Sequence, residues 1–224
     1  MESSTTRAQR IGIWIIAIAL VVGTLFGFLA MIISSDTENK AQKALADYQR
    51  DYQEFAEDSS KQQEELDKRA PELAKDYQKT VFDQKSRVAK FKNSDVKKLD
   101  VRTLRAGKGE KITDDTTYAA YYIGWNEKAK IFDSSIIDDK KLKSPLIVRP
   151  GSVIKGWSEG MKGLRIGGVY QLSIPSNKAY GDQEQGEDIP ANSSLKFVVV
   201  PVEKLETLKE PKATQEIVDA YGLQ

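Results

Sequence analysis

Neither histidine nor cysteine occurs among the 224 residues. Ser-His-Asp and Cys-His nucleophiles, imidazole general bases and zinc sites built on imidazole or thiolate are therefore excluded, and no disulfide can form. Chemistry is left to carboxylates, lysines, phenols, backbone amides and the shape of an apolar surface. Four segments gather such groups: GWNEKAKIFDSS, PLIVRPGSVIKGWSEGMKGLRIGG, IPSNKAYGD and IPANSSLKF. They bring aromatic and β-branched side chains together with one carboxylate, Asp133, and one phenol, Tyr180. None of these is a strong acid–base catalyst, and for most reactions such a set is poorly equipped. Taken singly, Phe132, Val153, Trp157 and Phe197 read as ordinary core residues, and Asp133 as the cap of a turn.

These segments need a scaffold to position them. From near Asp95 the strand-like runs TTYAAYYIGW, SPLIVRP, GGVYQLSIP and SSLKFVVVPV are separated by Gly, Pro, Asn and Asp turns. VIKGWSEGMKGL is the one good helix candidate in that stretch, and it is short. Strands around a single short helix predict a compact α+β domain over residues 94–208. The tail at 209–224 predicts a short helix around Ile217, Val218 and Tyr221.

Upstream the composition changes twice. Residues 11–33 carry no charge, and a helix of that length, at about 1.5 Å per residue, is long enough to cross a hydrocarbon core of about 30 Å. A cleaved signal peptide has a shorter apolar run and a small-residue cleavage site, which is not found here. The expectation is a transmembrane helix at 11–33 after a cytoplasmic tail at 1–10. Arg7 and Arg10 before the span, against the acids Asp36 and Glu38 just after it, place the C-terminal part outside the cytoplasm. Gly23 and Gly27 form a G-x-x-x-G pair, open to reading as a helix-pairing face or as ordinary membrane-helix glycine.

Residues 34–93 are rich in Lys, Glu, Gln, Asp and Ala and predict a solvated helical stalk. Ala41, Leu45, Tyr48, Tyr52 and Phe55 step by four and three as a heptad seam, too short for an established coiled coil. Pro71 is expected to break or restart the helix, with a hairpin as one arrangement. A homodimer through anchor and stalk is one partner expectation, and the lipid bilayer through residues 11–33 is another. Lys plus Arg (34) nearly cancels Asp plus Glu (33), so a nucleic-acid partner is not expected.

The order of the four segments, with their spacing, resembles the FKBP-type peptidyl-prolyl cis-trans isomerases over roughly residues 101–205. That resemblance implies a five-stranded antiparallel sheet wrapped around the short helix, an apolar pocket between them, no cofactor and no metal. It implies proline-containing polypeptides as substrates. Carried over by motif, Asp133, Ile154 and Tyr180 are the catalytic candidates. Tyr122, Phe132, Leu146, Val153, Trp157, Ile189 and Phe197 are the candidates for binding substrate, with Trp157 as the floor under the proline ring. Leu146 stands where the family usually has an aromatic residue. The loop GDQEQGEDIP is another departure: Asp182, Glu184, Glu187 and Asp188 make this lip of the pocket acidic. The implied function is isomerisation of X–Pro bonds in extracytoplasmic proteins. The alternatives are a proline-segment chaperone or scaffold with little catalysis, and a stalk protein with a passive globular end.

Overall fold

The computed structural model describes residues 35–221, with side chains over 40–219. In chain order the elements are α1 (Ser35–Asp83), β1 (Asp100–Arg105), β2 (Thr117–Trp125), β3 (Ile131–Ser134), β4 (Ile136–Asp138), β5 (Lys141–Leu142), β6 (Leu146–Val148), α2 (Lys155–Met161), β7 (Val169–Ile174), β8 (Leu195–Leu205) and α3 (Gln215–Tyr221). They form two compact units, one of residues 57–209 and one that includes the described residues 35–56 and 210–221. In the smaller unit Ala41 and Ile217 are buried. Tyr48, Tyr52 and Phe55 stack along α1 there, at centroid distances of 6.1 and 6.2 Å.

The antiparallel sheet of the larger unit runs β1-β7-β8-β2-β3, and β6 also pairs with β2. This corrects the expected count of five strands to six. Two strands share one edge position: β6 lies along Tyr118–Ala120 and β3 along Ile123–Trp125. Between them the chain leaves the edge to form the β4–β5 hairpin. Pro201 lies inside β8, where its missing N–H is tolerated because the β2–β8 register shifts between Ala119 and Ala120.

Period-two alternation buries β2 on both faces. Tyr118 and Ala120 join Trp157, Met161, Leu172, Ile174, Phe197 and Val199 in one cluster, beneath α2. Ala119, Tyr121, Ile123 and Trp125 join Leu66, Val81, Val198 and Val200 in a second, beneath α1. Helix α2 lies close on β7 because Gly156 and Gly160 face it. A Cβ at those positions would stand 2.3 Å from Ile174 Cγ2 and 2.4 Å from Leu172 Cδ2. The helix is tied to β2 by the Trp157 Nε1–H bond to Tyr118 Oη, at 3.0 Å.

The part of the expected stalk from 57 onward is therefore not solvated. Leu66, Ala70 and Val81 are buried, and Leu73, Ala74, Tyr77 and Phe82 pack against the second cluster. Each fully buried aliphatic side chain contributes about 1.5–3 kcal/mol relative to exposure. Pro71 does not break α1, which runs through it. Its ring points to solvent, and the apolar contacts before and after it offset a helix penalty of about 3 kcal/mol. Polar bonds fasten the rim: Arg69 to Glu203 at 2.7 Å, Gln62 Nε2 to Glu206 O at 2.8 Å, and Arg149 Nη2 to Gln62 Oε1 at 2.8 Å.

The membrane expectation is corrected. Among the described residues no helix is long and apolar enough to cross a membrane. The expected span at 11–33, with Gly23 and Gly27, lies outside them. The single-pass placement with an extracytoplasmic C-terminal part, and the bilayer contact, therefore find no support among the described residues. A homodimer through the stalk is unsupported for a second reason: the apolar side of α1 from Leu66 to Val81 is occupied by the sheet of the same chain.

Two predictions follow from the double burial. A fragment of residues 57–209 should unfold cooperatively in urea, whereas one of residues 94–208 should bare Tyr121, Ile123 and Trp125 and self-associate, as light scattering would show. Equal stability of the two fragments would remove α1 from the core. The second prediction separates two neighbouring phenols. Tyr121 Oη is buried without a partner, and its pKa is pushed up to about 12 by burial first, then by Glu203 and Tyr77. The unfolded phenol ionises near its ordinary value of about 10, so this contribution to stability is complete below that pH and is lost as pH rises toward 12. Tyr121→Phe should be neutral or stabilising by up to about 1 kcal/mol and should lessen the alkaline loss. Tyr118→Phe strands the Trp157 N–H and should cost about 1–3 kcal/mol, by chemical denaturation.

Candidate active site

The rings come together at the open end of the α2 face. Trp157 is buried at the start of α2, where its backbone N–H donates to Ile154 O at 2.9 Å. Tyr122 meets it edge-on from β2 at 5.6 Å and 73°, and Phe197 from β8 at 5.1 Å and 68°. Phe132 on β3 stands against Phe197 at 5.6 Å and 82°. Such edge-to-face pairs place the positive ring edge on a neighbour's negative face, worth about 0.5–1.5 kcal/mol each beyond burial. Gly124 makes the arrangement possible. A Cβ there would lie 2.6 Å from Phe197 Cε1 and 2.9 Å from Phe132 Cζ.

Asp133 closes the polar edge. Its Oδ2 accepts the Tyr122 hydroxyl at 2.5 Å and its Oδ1 accepts the Ser134 N–H at 2.8 Å. Lys143 Nζ lies 3.6 Å from Oδ1, a solvent-exposed pair that adds little stability. Tyr180 stands in a partly exposed position, 37% accessible. Its pKa is raised, first by partial burial and then by the negative charge of Asp133, so its hydroxyl stays a donor through the neutral range.

The remaining candidates fall around the rings. Ile189 belongs to the same cluster, and Leu146, Val153 and Ile154 pack against it half-buried. Ile154 is the N-cap of α2, in an extended backbone conformation, and among the described residues no hydrogen bond occupies its N–H. In the acidic lip, Asp188 is paired with Lys130, while Asp182, Glu184 and Glu187 face solvent. Tyr118 and Lys143 went unnoticed in the sequence reading. The first was hidden because it becomes a partner of Trp157 only through strand register, the second because a lone lysine carries no motif. Among the described residues no group of three or more acidic side chains is placed to hold a metal ion.

This geometry leaves an apolar, aromatic-floored site with one free backbone donor, one phenol and one carboxylate committed to hydrogen bonds. Its chemistry suits a small apolar ring, and Asp133, the carboxylate at its edge, is already engaged by Tyr122 and Ser134.

Comparison with known proteins agrees with that chemistry. Residues 108–200 match the family described as FKBP-type peptidyl-prolyl cis-trans isomerase. An FK506-binding protein of Neisseria meningitidis serogroup A is 36% identical over 101 residues, which are 45% of this chain and 91% of the relative. FK506-binding protein 2 of Yarrowia lipolytica is 34% identical over 119 residues, covering 52% of this chain and 77% of the relative. Among solved structures, AtFKBP13 has a TM-score of 0.43 at 32% identity, over 48% of this chain and 93% of that one. Because that 36% identity extends over 91% of the Neisseria relative, the chain belongs to the FKBP-type peptidyl-prolyl cis-trans isomerase family.

Proposed function

We propose that the site formed by Tyr122, Phe132, Trp157, Ile189 and Phe197 seats the proline ring of a polypeptide and accelerates rotation about the X–Pro bond. The observation that carries this reading is the ring cluster around Trp157, edge-on from two sides, with Asp133 engaged by Tyr122. Rotation makes and breaks no covalent bond. Its barrier, about 18–20 kcal/mol, is mainly lost amide resonance. The planar imide is more charge-separated than the twisted one, so water favours the planar form. An apolar surface that excludes water from the imide and grips the ring favours the twisted state.

In this reading Trp157 supports the ring, and Leu146, Val153 and Ile189 bound it. The Ile154 N–H donates to a substrate carbonyl, holding the chain on one side of the twisting bond while the proline is held on the other. The Tyr180 hydroxyl donates a second bond. Asp133 orients Tyr122 and moves no proton.

The full chain should accelerate cis–trans exchange of an X–Pro peptide over the uncatalysed rate, and Trp157→Ala should lower kcat/KM about 10–100-fold. The profile of kcat/KM should be flat between about pH 6 and 9. The raised pKa of Tyr180 keeps its hydroxyl protonated across that window, and loss should begin only above the ordinary phenol range. A folded chain with no acceleration would leave a proline-binding module. A bell-shaped profile in that window would replace desolvation by proton transfer.

A further inference from the structure

The loop from Tyr180 to Ser194 carries Ile189 to the site. Within it, Gln185 N–H donates to Ile189 O at 2.8 Å and Ile189 N–H to Gly186 O at 3.2 Å. These bonds shape the loop without attaching it to the sheet. The end of the loop is tied by Ser194 N–H to Asn93 Oδ1 at 3.0 Å, and its stretch before Ile189 is held by Asn126, the residue after β2, which is only 2% exposed. Its Nδ2 donates to Asp188 O at 2.8 Å, one residue before Ile189. Its Oδ1 accepts two backbone amides, Lys128 N–H and Lys130 N–H, each at 3.0 Å. Two donors facing one end and a carbonyl facing the other fix which end of the carboxamide is which. Asn126 N–H donates to Lys130 O and its carbonyl accepts Ala129 N–H, both at 3.0 Å, with Ala129 at φ 63°. The side chain thus joins two separate loops, the β2–β3 turn and the lip. The Lys130–Asp188 ion pair bridges the same two loops at the surface.

A turn of this kind does not by itself require a buried amide reaching away from it. A buried polar group is costly unless satisfied, and satisfied it specifies one arrangement of its partners. We propose that Asn126 is a positioning residue for the isomerase: its carboxamide latches Asp188, and through it holds Ile189 as a wall of the prolyl site, setting substrate affinity without touching substrate. This rests on the reading of Ile189 as part of that site.

Asn126→Asp in the full chain is the discriminating variant. A carboxylate still accepts both turn amides but cannot donate to the Asp188 carbonyl. The expected result is a KM for an X–Pro peptide raised about fivefold to tenfold with kcat nearly held. Hydrogen exchange should quicken at residues 184–190 and stay unchanged at 127–131. Asn126→Leu, which removes both functions, should disturb both segments. Unchanged exchange at 184–190 in Asn126→Asp would overturn the proposal, as would faster loop exchange with KM unmoved. Equal acceleration at 127–131, or loss of folding in both variants, would make Asn126 a determinant of the turn alone and also end it. Failure of the prolyl-site reading would show separately, as a Trp157→Ala variant with undiminished activity.

Discussion

Because β2 alternates every residue between two buried layers, neither layer of the 57–209 unit can shift without the other. Tyr118 and Ala120 are held against α2 while Tyr121, Ile123 and Trp125 are held against α1. A one-residue slip would exchange the two sets and turn Trp125 onto the face that carries the ring cluster. The register is pinned by β8, which pairs with β2 over its whole length, and by the shared edge of β3 and β6. α1 is in this sense a wall of the catalytic unit.

The site inherits its order from that constraint. Trp157 is oriented by Tyr118 Oη below it and by Tyr122 and Phe197 on either side. Gly124 is the concession the backbone makes so that Phe132 and Phe197 can meet. Polar groups around the rings are largely committed elsewhere: Asp133 to Tyr122 and Ser134, Asp188 to Lys130. Among the described residues, the Ile154 N–H and the Tyr180 hydroxyl are available as donors. In the proposed reading, a surface so arranged acts by excluding water and aligning two ends of a bond, which is the demand X–Pro rotation makes.

Much of this was legible in local sequence. The FDSS turn, the GW helix start, the AYG loop and the strand runs are each contiguous, and the resemblance they carry to the FKBP-type isomerases stands. The long helix was legible as a helix, and its part from 57 onward was misjudged as solvated. Its buried residues beyond 57, Leu66, Ala70 and Val81, are scattered among charges and interrupted by Pro71, so no strong apolar stripe announced a partner. That partner is the reverse face of a sheet whose strands begin at Asp100. Strands β1 and β3 lie outside the four runs for a similar reason: each is a short strand at an edge of the sheet, and β3 has only the four residues Ile131–Ser134, which carry little periodicity.

The sequence by itself determined the available chemistry: with no His and no Cys, catalysis had to come from apolar surface, phenol, carboxylate and amide. It determined too the order of the long helix, β2, β6, α2, β7, β8 and α3, because periodicity and turn residues act within a few positions. Tertiary structure alone decided which of those groups touch. Tyr118 reaches Trp157 across 39 residues and Asn126 reaches Asp188 across 62, contacts that depend on register and on the close approach of α2 to β7. Side-chain partners separated by such distances are selected by packing the whole unit at once, and no short window of residues carries that information.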